Sequence, residues 1–475
     1  MAARTSGRPT LGGCLGRRYE LTWRGNLLAL DWDHDFLAPF VSKEASGDYV
    51  GLGKSLEALV RFAAATAEPE LLALRESLLT RLLAAQEPDG YLGRHRREAR
   101  TDQLWDVHEL AYLVLALVTD HRLFKAAASL RAAVAVGDYL LDQLTPPRLA
   151  VLAKSIGLHL GACGLDRALL ALYHATGERR YRDFLTTGLA LPSWDLPILE
   201  GRYGRIEGHA YAYLSRALAQ LELSGESRPS TRAERFLQHG GLVVSGTCSQ
   251  SECWHSDQRG HGELGETCAT AYLMRWQNHL LAGDGLARHG DLLERALYNA
   301  LFAAQSPDGR KLRYYTPCEG ERQWWPRDTY CCPGNFRRII AELPELIAAP
   351  TAAGIRLNLY STMSRCFEHP EAGEVRLTVE TDYPTSGEVR LLVEPERSAC
   401  FALELRVPGW CETATVAVNG ETSNHRPGML RMHRCWSAGD RVELALPMPW
   451  RWVRGSGVNA GKAALLRGPQ LFCLD

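Results

Sequence analysis

The sequence predicts an α+β multidomain protein in which a long helical region precedes a β-sandwich. From about residue 49 to residue 349, apolar residues recur at helical intervals, as around Leu56 and Leu59, and Gly or Pro marks the joints. After about residue 354 the pattern changes to the alternation typical of strands, as in Val375-Arg-Leu-Thr-Val. This change of period separates the two regions.

Three of the helical segments share a pattern, and each carries a histidine. The segments Trp105-Asp-Val-His108, Gly157-Leu-His159 and Gly208-His209-Ala place these histidines 51 and 50 residues apart. This interval suits one antiparallel helix pair, and repeated pairs either stack as a solenoid or close as a toroid. A toroid would aim equivalent side chains at one central cavity. His108 and His209 are therefore candidate cavity residues, although each could equally be an ordinary core or surface histidine.

We divide the chain into three parts. Residues 1–47 form an N-terminal segment expected to pack on the barrel or the sandwich, residues 48–350 the helical catalytic domain, and residues 351–475 the sandwich domain. Within the sandwich, Asn419-Gly420 predicts a hairpin with a type I′ turn. No low-complexity linker separates the two large regions, so we expect them to pack together.

The composition excludes some function classes. The chain has 54 basic and 55 acidic residues, so no broad electrostatic field attracts nucleic acid or an anionic membrane. The first residues contain no apolar run typical of a signal peptide, and no segment stays uncharged long enough to span a bilayer. We therefore expect a cytoplasmic protein. Thirteen cysteines, an odd number, predict mainly free thiols, with Cys163 and Cys400 as plain buried residues.

Two separated segments combine one carboxylate with three thiols. Glu266 and Cys268 stand two residues apart at a predicted helix start, and Cys331 and Cys332 are adjacent before a Pro-Gly turn. Three thiolates and a carboxylate make a plausible tetrahedral shell for zinc. The spacing is not that of a zinc finger or ribbon, so buried cysteines without a metal remain an alternative.

Taken together, the motifs resemble glycoside hydrolase family 127, the β-L-arabinofuranosidases. The resemblance runs in order from about residue 50 to the end of the chain. Its main elements are Gln86-Glu-Pro-Asp-Gly-Tyr91, Gly208-His209-Ala, Glu266-Thr-Cys268-Ala, Cys331-Cys332-Pro-Gly-Asn335, Arg406-Val-Pro-Gly-Trp410 and Arg467-Gly-Pro469.

The resemblance implies an (α/α)6 barrel followed by β-sandwich domains. It also implies a Zn²⁺ ion bound by Glu266, Cys268, Cys331 and Cys332, with Cys331 as the nucleophile. A zinc-bound thiolate could take the place of the usual carboxylate nucleophile.

The general acid/base is expected on a glutamate shortly before the Glu-x-Cys motif. Glu252 stands fourteen residues before Glu266, and Glu263 is its competitor. The sequence around Glu252 differs from the pattern that is usual in the family, so it does not identify the substrate.

Further residues match segments that contact sugar in the family. They are His108, His159, His209 and Tyr298, although Tyr298 could also be a core aromatic on a helix. Histidine and tyrosine suit such a pocket because they bind hydroxyl groups and present flat apolar faces.

The leading hypothesis is a retaining exo-glycosidase acting on an oligosaccharide or glycoconjugate, with a homodimer as the candidate assembly. One alternative is a barrel-type polysaccharide lyase with His108 or His209 as base. Another is a non-catalytic carbohydrate-binding or structural zinc protein. Family members usually continue beyond Arg467-Gly-Pro469, so the sandwich region is expected to be either truncated in this sequence or naturally short.

Overall fold

The computed structural model describes residues 4–43, 49–101, 104–155, 163–201, 208–256 and 259–473. Helices fill the first of its two large regions and strands the second, as the sequence predicts. None of the helices within the described ranges is both long and apolar enough to cross a membrane. The α-helices are α1 Gly13–Glu20, α2 Ala38–Ser42, α3 Leu52–Thr66, α4 Pro69–Ala84, α5 Leu104–Phe124, α6 Ala127–Gln143, α7 Pro146–Ser155, α8 Leu165–Thr176, α9 Arg179–Asp183, α10 Ala210–Ser224, α11 Arg228–Gln238, α12 Thr267–Asp284, α13 Ala287–Ala296, α14 Cys331–Ala341 and α15 Leu343–Ile347.

Six of these helices form a closed inner ring. In the described chain, α3 packs on α5, α5 on α8, α8 on α10, α10 on α12, α12 on α14, and α14 returns to α3. The inner helices are covered on most sides, and α12 is buried continuously from Thr267 to Gln277. Helices such as α4, α6, α11 and α13 lie outside them. The predicted (α/α)6 barrel is confirmed.

The second region is a β-sandwich. Its larger sheet has the strand order β1-β6-β7-β8-β13-β10-β11, and its smaller sheet has the order β12-β9-β5-β4. Strands β14, β15 and β16 form a separate three-stranded sheet, and the hairpin strands β2 and β3, which come from the helical region, pair with each other. The strands are β1 Arg4–Leu11, β2 Ser249–Gln250, β3 Cys253–Trp254, β4 Ala348–Thr351, β5 Gly354–Leu357, β6 Met363–His369, β7 Gly373–Thr381, β8 Glu388–Pro395, β9 Ala399–Val407, β10 Ala414–Val418, β11 Glu421–His425, β12 Gly428–Trp436, β13 Asp440–Ala445, β14 Trp450–Arg454, β15 Ala463–Arg467 and β16 Gln470–Phe472.

The strand pairing tests two local predictions. The hairpin of β10 and β11 is confirmed, with positive φ at both Asn419 and Gly420, as a type I′ turn requires. The prediction of a buried free thiol at Cys400 is wrong. Cys400 on β9 stands directly opposite Cys435 on β12, and the two exposed residues form a disulfide. Strand alternation turns Cys400 outward, and the sequence does not show which cysteine faces it.

A buried ion-pair cluster joins the barrel to the sandwich. Arg406 of β9 is fully buried, and its guanidinium binds Asp291 at 2.6 Å and Glu294 at 2.7 Å, both on α13. Glu294 also accepts hydrogen bonds from Tyr383 and Trp410 of the sandwich. The expected packing of the two regions is confirmed, and Arg406 is its centre.

Replacing Arg406 with methionine should destabilise the protein strongly. The change leaves Glu294 buried without its cation, and removal of one partner of a buried pair costs about 3–5 kcal/mol. Arg397→Met is the matched control, because the Arg397 ion pair with Glu396 is exposed. Thermal unfolding checks this: the melting temperature should fall in Arg406→Met and stay near the parent value in Arg397→Met. Equal melting temperatures would contradict the role of Arg406 in joining the barrel to the sandwich.

Candidate active site

Two neighbouring inner helices begin at the same place and bring four candidate ligands together. Glu266 caps the N-terminus of α12, Cys268 lies in its first turn, and Cys331 and Cys332 open α14. One ligand atom from each of the four residues lies within 4.8 Å of the others. Helix N-termini carry a partial positive charge, which favours thiolate over thiol.

The contacts within this group fit a metal ion. The Cys332 thiol lies 3.3 Å from Cys268 Sγ and 3.7 Å from Glu266 Oε1. Glu266 Oε2 is buried and has no hydrogen-bond partner among the described residues. Burial raises the pKa of Glu266 well above its usual range, and the negative charges of Glu252 and Cys331 add to this. A bound cation would compensate such a carboxylate, and three sulfurs with one oxygen suit zinc.

The Cys331 thiol differs from its neighbours. Burial opposes its ionisation, yet hydrogen bonds from Cys268 and Cys332 and the charge of Lys54 hold the pKa of Cys331 well below its usual range. Burial raises the pKa of Cys332, and its thiol hydrogen bonds to the other two cysteines raise it further. Among the three thiols, Cys331 is the one that most favours the thiolate.

Glu252 reaches the same centre from a tight hairpin. Strands β2 and β3 are joined by Ser251 and Glu252, both with positive φ (47° and 66°), the pattern of a type I′ turn. The turn brings the Glu252 carboxylate to 3.6 Å from His209 Nε2, at the start of α10. Burial lowers the pKa of His209 to about 4, so the imidazole is neutral near pH 7.

Tyr314 contacts both Glu252 and Cys331, and it is not among the residues that the sequence predicts. Its hydroxyl donates a short hydrogen bond to Glu252 Oε1 and lies 3.5 Å from Cys331 Sγ. Burial raises the pKa of Tyr314 well above its usual range, as do the charges of Cys331 and Cys332, so the phenol stays protonated. Tyr314 lies in a loop between helices, where no periodicity singles it out.

Aromatic rings wall the space beside the thiols. Tyr330 directly precedes Cys331. Its ring centroid lies 5.5 Å from that of Trp325, 6.3 Å from that of Tyr49 and 6.4 Å from that of Trp105. The rings of Trp325, Tyr330 and Trp105 are half-buried. His108 belongs to the same wall, with its ring 4.6 Å from Tyr49. Flat apolar faces with polar edges are suited to sugar rings.

The backbone before Cys331 is strained. Tyr330 has φ 102° and ψ 177°, a region that only glycine adopts readily and that costs about 1–3 kcal/mol. The Tyr330 N–H donates to the Val50 carbonyl at 2.9 Å, which holds this conformation. The turn sets the direction from which Cys331 enters the centre.

The structure brings most of the predicted residues together, but not all. Tyr298 is not brought to the thiols: its ring packs against Phe302 and Tyr383, where the barrel meets the sandwich. The tyrosine position beside the thiols is taken by Tyr314 instead. Glu263 has an exposed side chain, whereas Glu252 is 9% exposed. His159 lies outside the described residues.

A carboxylate and a thiol that meet at one phenol, inside an aromatic-walled barrel, define an enzyme that acts on sugars. Comparison with known proteins gives the family. Residues 40–345 match the profile of the β-L-arabinofuranosidase GH127 catalytic domain, and residues 354–448 match that of the GH127 middle domain. The chain belongs to glycoside hydrolase family 127 and is a glycosidase with a carbohydrate substrate.

Individual relatives agree with this assignment. A non-reducing end β-L-arabinofuranosidase from Bifidobacterium longum subsp. longum is 24% identical, over 86% of this chain and 72% of that protein. The crystal structure of a GH127 β-L-arabinofuranosidase from Geobacillus stearothermophilus T6 is 25% identical, with a TM-score of 0.79 over 98% of this chain and 86% of that one. A second GH127 β-arabinofuranosidase structure shares the fold, with a TM-score of 0.80, 22% identity and coverage of 99% and 85%.

Replacing Ser251 with glycine should stabilise the protein while preserving activity. A left-handed residue with a Cβ costs about 1–2 kcal/mol, and the greater freedom of unfolded glycine offsets part of this, leaving a gain of about 0.5–1 kcal/mol for Ser251→Gly. Gln250→Gly is the control, because Gln250 lies in strand β2 rather than in the turn. Thermal unfolding should show a rise for the first variant and a fall for the second. A fall in both would contradict the type I′ turn.

Proposed function

We propose that this glycosidase is a retaining, exo-acting β-L-arabinofuranosidase with Cys331 as nucleophile and Glu252 as general acid/base. The observation that carries the proposal is the contact of one hydroxyl, that of Tyr314, with both groups. A nucleophile and an acid that share a hydrogen-bonding partner stand on either side of one small space. An anomeric carbon and its leaving oxygen would fit there.

The separation of the two groups supports retention. Because both touch the Tyr314 oxygen, Cys331 Sγ and Glu252 Oε1 lie at most about 6 Å apart. In glycosidases with two catalytic carboxyl groups, these groups lie about 5–5.5 Å apart in retaining enzymes and about 6.5–9.5 Å apart in inverting enzymes, which admit water between them. The spacing here leaves room for direct attack on the sugar.

The reaction proceeds in two displacements. The Cys331 thiolate attacks the anomeric carbon, and Glu252 protonates the leaving oxygen as the glycosidic bond breaks. In the second step the Glu252 carboxylate takes a proton from water, the water oxygen attacks the same carbon, and Cys331 leaves as a thiolate. In both steps the Tyr314 hydroxyl hydrogen-bonds Glu252 Oε1, and the neutral His209 ring lies 3.6 Å from its other oxygen.

Glu266, Cys268, Cys331 and Cys332 would hold a zinc ion. When bound, zinc would stabilise thiolate sulfur, which helps Cys331 both to attack and to leave. The orphaned Glu266 oxygen and the convergent sulfurs support this ligand set. The sugar would lie against the aromatic wall, with His108 and His209 binding its hydroxyl groups.

The furanose specificity rests on the relatives. The Bifidobacterium protein is named for its action at the non-reducing end of β-L-arabinofuranosides, and the Geobacillus structure is also that of a β-L-arabinofuranosidase. We therefore assign a terminal β-L-arabinofuranosyl unit of an oligosaccharide or glycoconjugate as the substrate.

A panel of p-nitrophenyl glycosides tests substrate and acid/base together. The parent protein should release nitrophenol fastest from the β-L-arabinofuranoside. Glu252→Gln should slow cleavage of an unactivated β-L-arabinofuranosyl disaccharide by about 10²–10⁴-fold, because its leaving oxygen needs protonation. The loss should be smaller on the nitrophenyl substrate.

Glu263→Gln is the matched control for this panel, since the Glu263 side chain is exposed and should leave both rates near those of the parent. A leaving-group dependence in Glu263→Gln rather than Glu252→Gln would overturn the acid/base assignment. Preference for a pyranoside would overturn the substrate.

An arabinofuranose-configured cyclophellitol-type epoxide should label Cys331. The pocket holds the electrophile beside this thiolate, so one adduct per chain is expected at Cys331 by peptide mass spectrometry. Cys473 is an internal control, because its thiol is exposed and reports non-specific alkylation. Equal labelling of Cys473 and Cys331, or no adduct at Cys331 in protein that cleaves the glycoside, would refute the nucleophile assignment.

A further inference from the structure

We propose that Asn335 is a positioning residue that fixes Cys268 as a permanent metal ligand, and that Arg338 and Glu57 hold Asn335 in place. The inference rests on the proposed metal site. Asn335 lies one turn after Cys331 on α14, is fully buried, and its Nδ2 stands 3.1 Å from Cys268 Sγ. It bonds to a sulfur on the neighbouring helix α12.

The direction of this hydrogen bond follows from Arg338. Arg338 Nη1 lies 3.1 Å from Asn335 Oδ1, and a guanidinium can only donate. The amide oxygen must therefore face Arg338, so the amide N–H₂ must face Cys268. Because an N–H₂ group can only donate, Cys268 Sγ is the acceptor. This hydrogen bond would be stronger with Cys268 as a metal-bound thiolate, because hydrogen bonds to a charged acceptor are the stronger ones.

Arg338 is itself fixed by a buried ion pair. Its Nε donates to Glu57 Oε2 on α3 at 2.7 Å, and both side chains are almost wholly buried. Arg338 Nη1 also lies 3.4 Å from the hydroxyl of Tyr272 on α12. Asn335 and Arg338 share one face of α14 because they are three residues apart. The hydrogen-bonded chain from Glu57 to Cys268 thus crosses three inner helices.

This series of hydrogen bonds gives Cys268 and Cys331 different surroundings. Cys268 receives an N–H bond from the barrel wall, whereas Cys331 faces the Tyr314 hydroxyl and the space beside Glu252. Cys268, which is hydrogen-bonded on the side away from the pocket, stays a metal ligand. Cys331, which faces the pocket, is the thiol that contacts the sugar. Outer hydrogen-bond partners of this kind commonly change metal affinity by about 10–100-fold.

Asn335→Asp tests the inference, because it keeps the shape of the side chain and an acceptor for Arg338 but removes the donor to Cys268. Full-length protein is loaded with Co²⁺, whose sulfur-to-cobalt charge-transfer band reports the thiolates directly. Without the N–H bond the Cys268 lone pairs rise in energy, so the band should move to longer wavelength. Chelator competition should show about 10–100-fold weaker Co²⁺ and Zn²⁺ binding.

Asn299→Asp is the matched control, because the Asn299 amide donates to the carbonyls of Arg295 and Pro469 rather than to a cysteine. Its band and affinity should equal those of the parent. Arg338→Lys is the second variant: it keeps a cation beside Glu57 but loses the planar fork, so a smaller shift in the same direction is expected. It also serves if Asn335→Asp does not fold.

The outcomes are distinguishable. A parent-like band and affinity in folded Asn335→Asp, or in folded Arg338→Lys if the first variant does not fold, would overturn the inference while leaving the metal site intact. Failure of the parent to bind either ion would remove the metal from the proposed function and the inference with it. A band shift in both Asn335→Asp and Asn299→Asp would show a general effect of added charge, which also overturns it.

Discussion

A buried cluster of acidic groups, in which Cys331 carries negative charge, lies where α12 and α14 meet and is the constraint on which the rest of the structure depends. Glu266 and three thiols are enclosed there, with Glu252 a few ångströms away. Two helix N-termini and the ammonium of Lys54 face this charge, and Lys54 is itself fully buried against tyrosine rings, 4.4 Å from that of Tyr112. A closed ring is needed to gather these groups, because they come from helices far apart in sequence.

Glu252 and Cys331 are both positioned by backbone conformations that residues with a side chain rarely adopt. Glu252 lies in a two-residue turn that would usually contain Asn-Gly, and Cys331 follows a tyrosine with glycine-like dihedral angles. Both conformations are held by backbone hydrogen bonds to neighbouring segments: the Tyr330 N–H donates to the Val50 carbonyl, and the Glu252 carbonyl accepts from the Ala210 N–H at the start of α10. Packing of the barrel offsets the unfavourable free energy of these two backbone conformations.

The parts of the fold that repeat could be predicted from the sequence. Helical period, strand alternation and the Asn419-Gly420 turn are local signals, and each was found where it was expected. The four candidate ligands carry their chemistry in their residue types, so they too could be named in advance. Tyr314 could not, because a loop tyrosine acquires its role only from the two groups it touches. The disulfide partner of Cys400 could not be predicted either, because strand register determines which cysteine lies opposite it.

Closure of the ring by α14 has a consequence for synthesis of the chain. Glu57 and Arg338, which join the first inner helix to the last, are separated by 281 residues. At ribosomal rates of roughly 5–20 residues per second, the apolar inner face of α3 waits on the order of tens of seconds for its final neighbour. During this interval the face of α3 that packs on α14 in the folded protein has no partner, and an unpartnered apolar face is the kind of surface that chaperones shield. The cluster of Glu266, Cys268, Cys331 and Cys332 forms only when α14, the last inner helix, is in place.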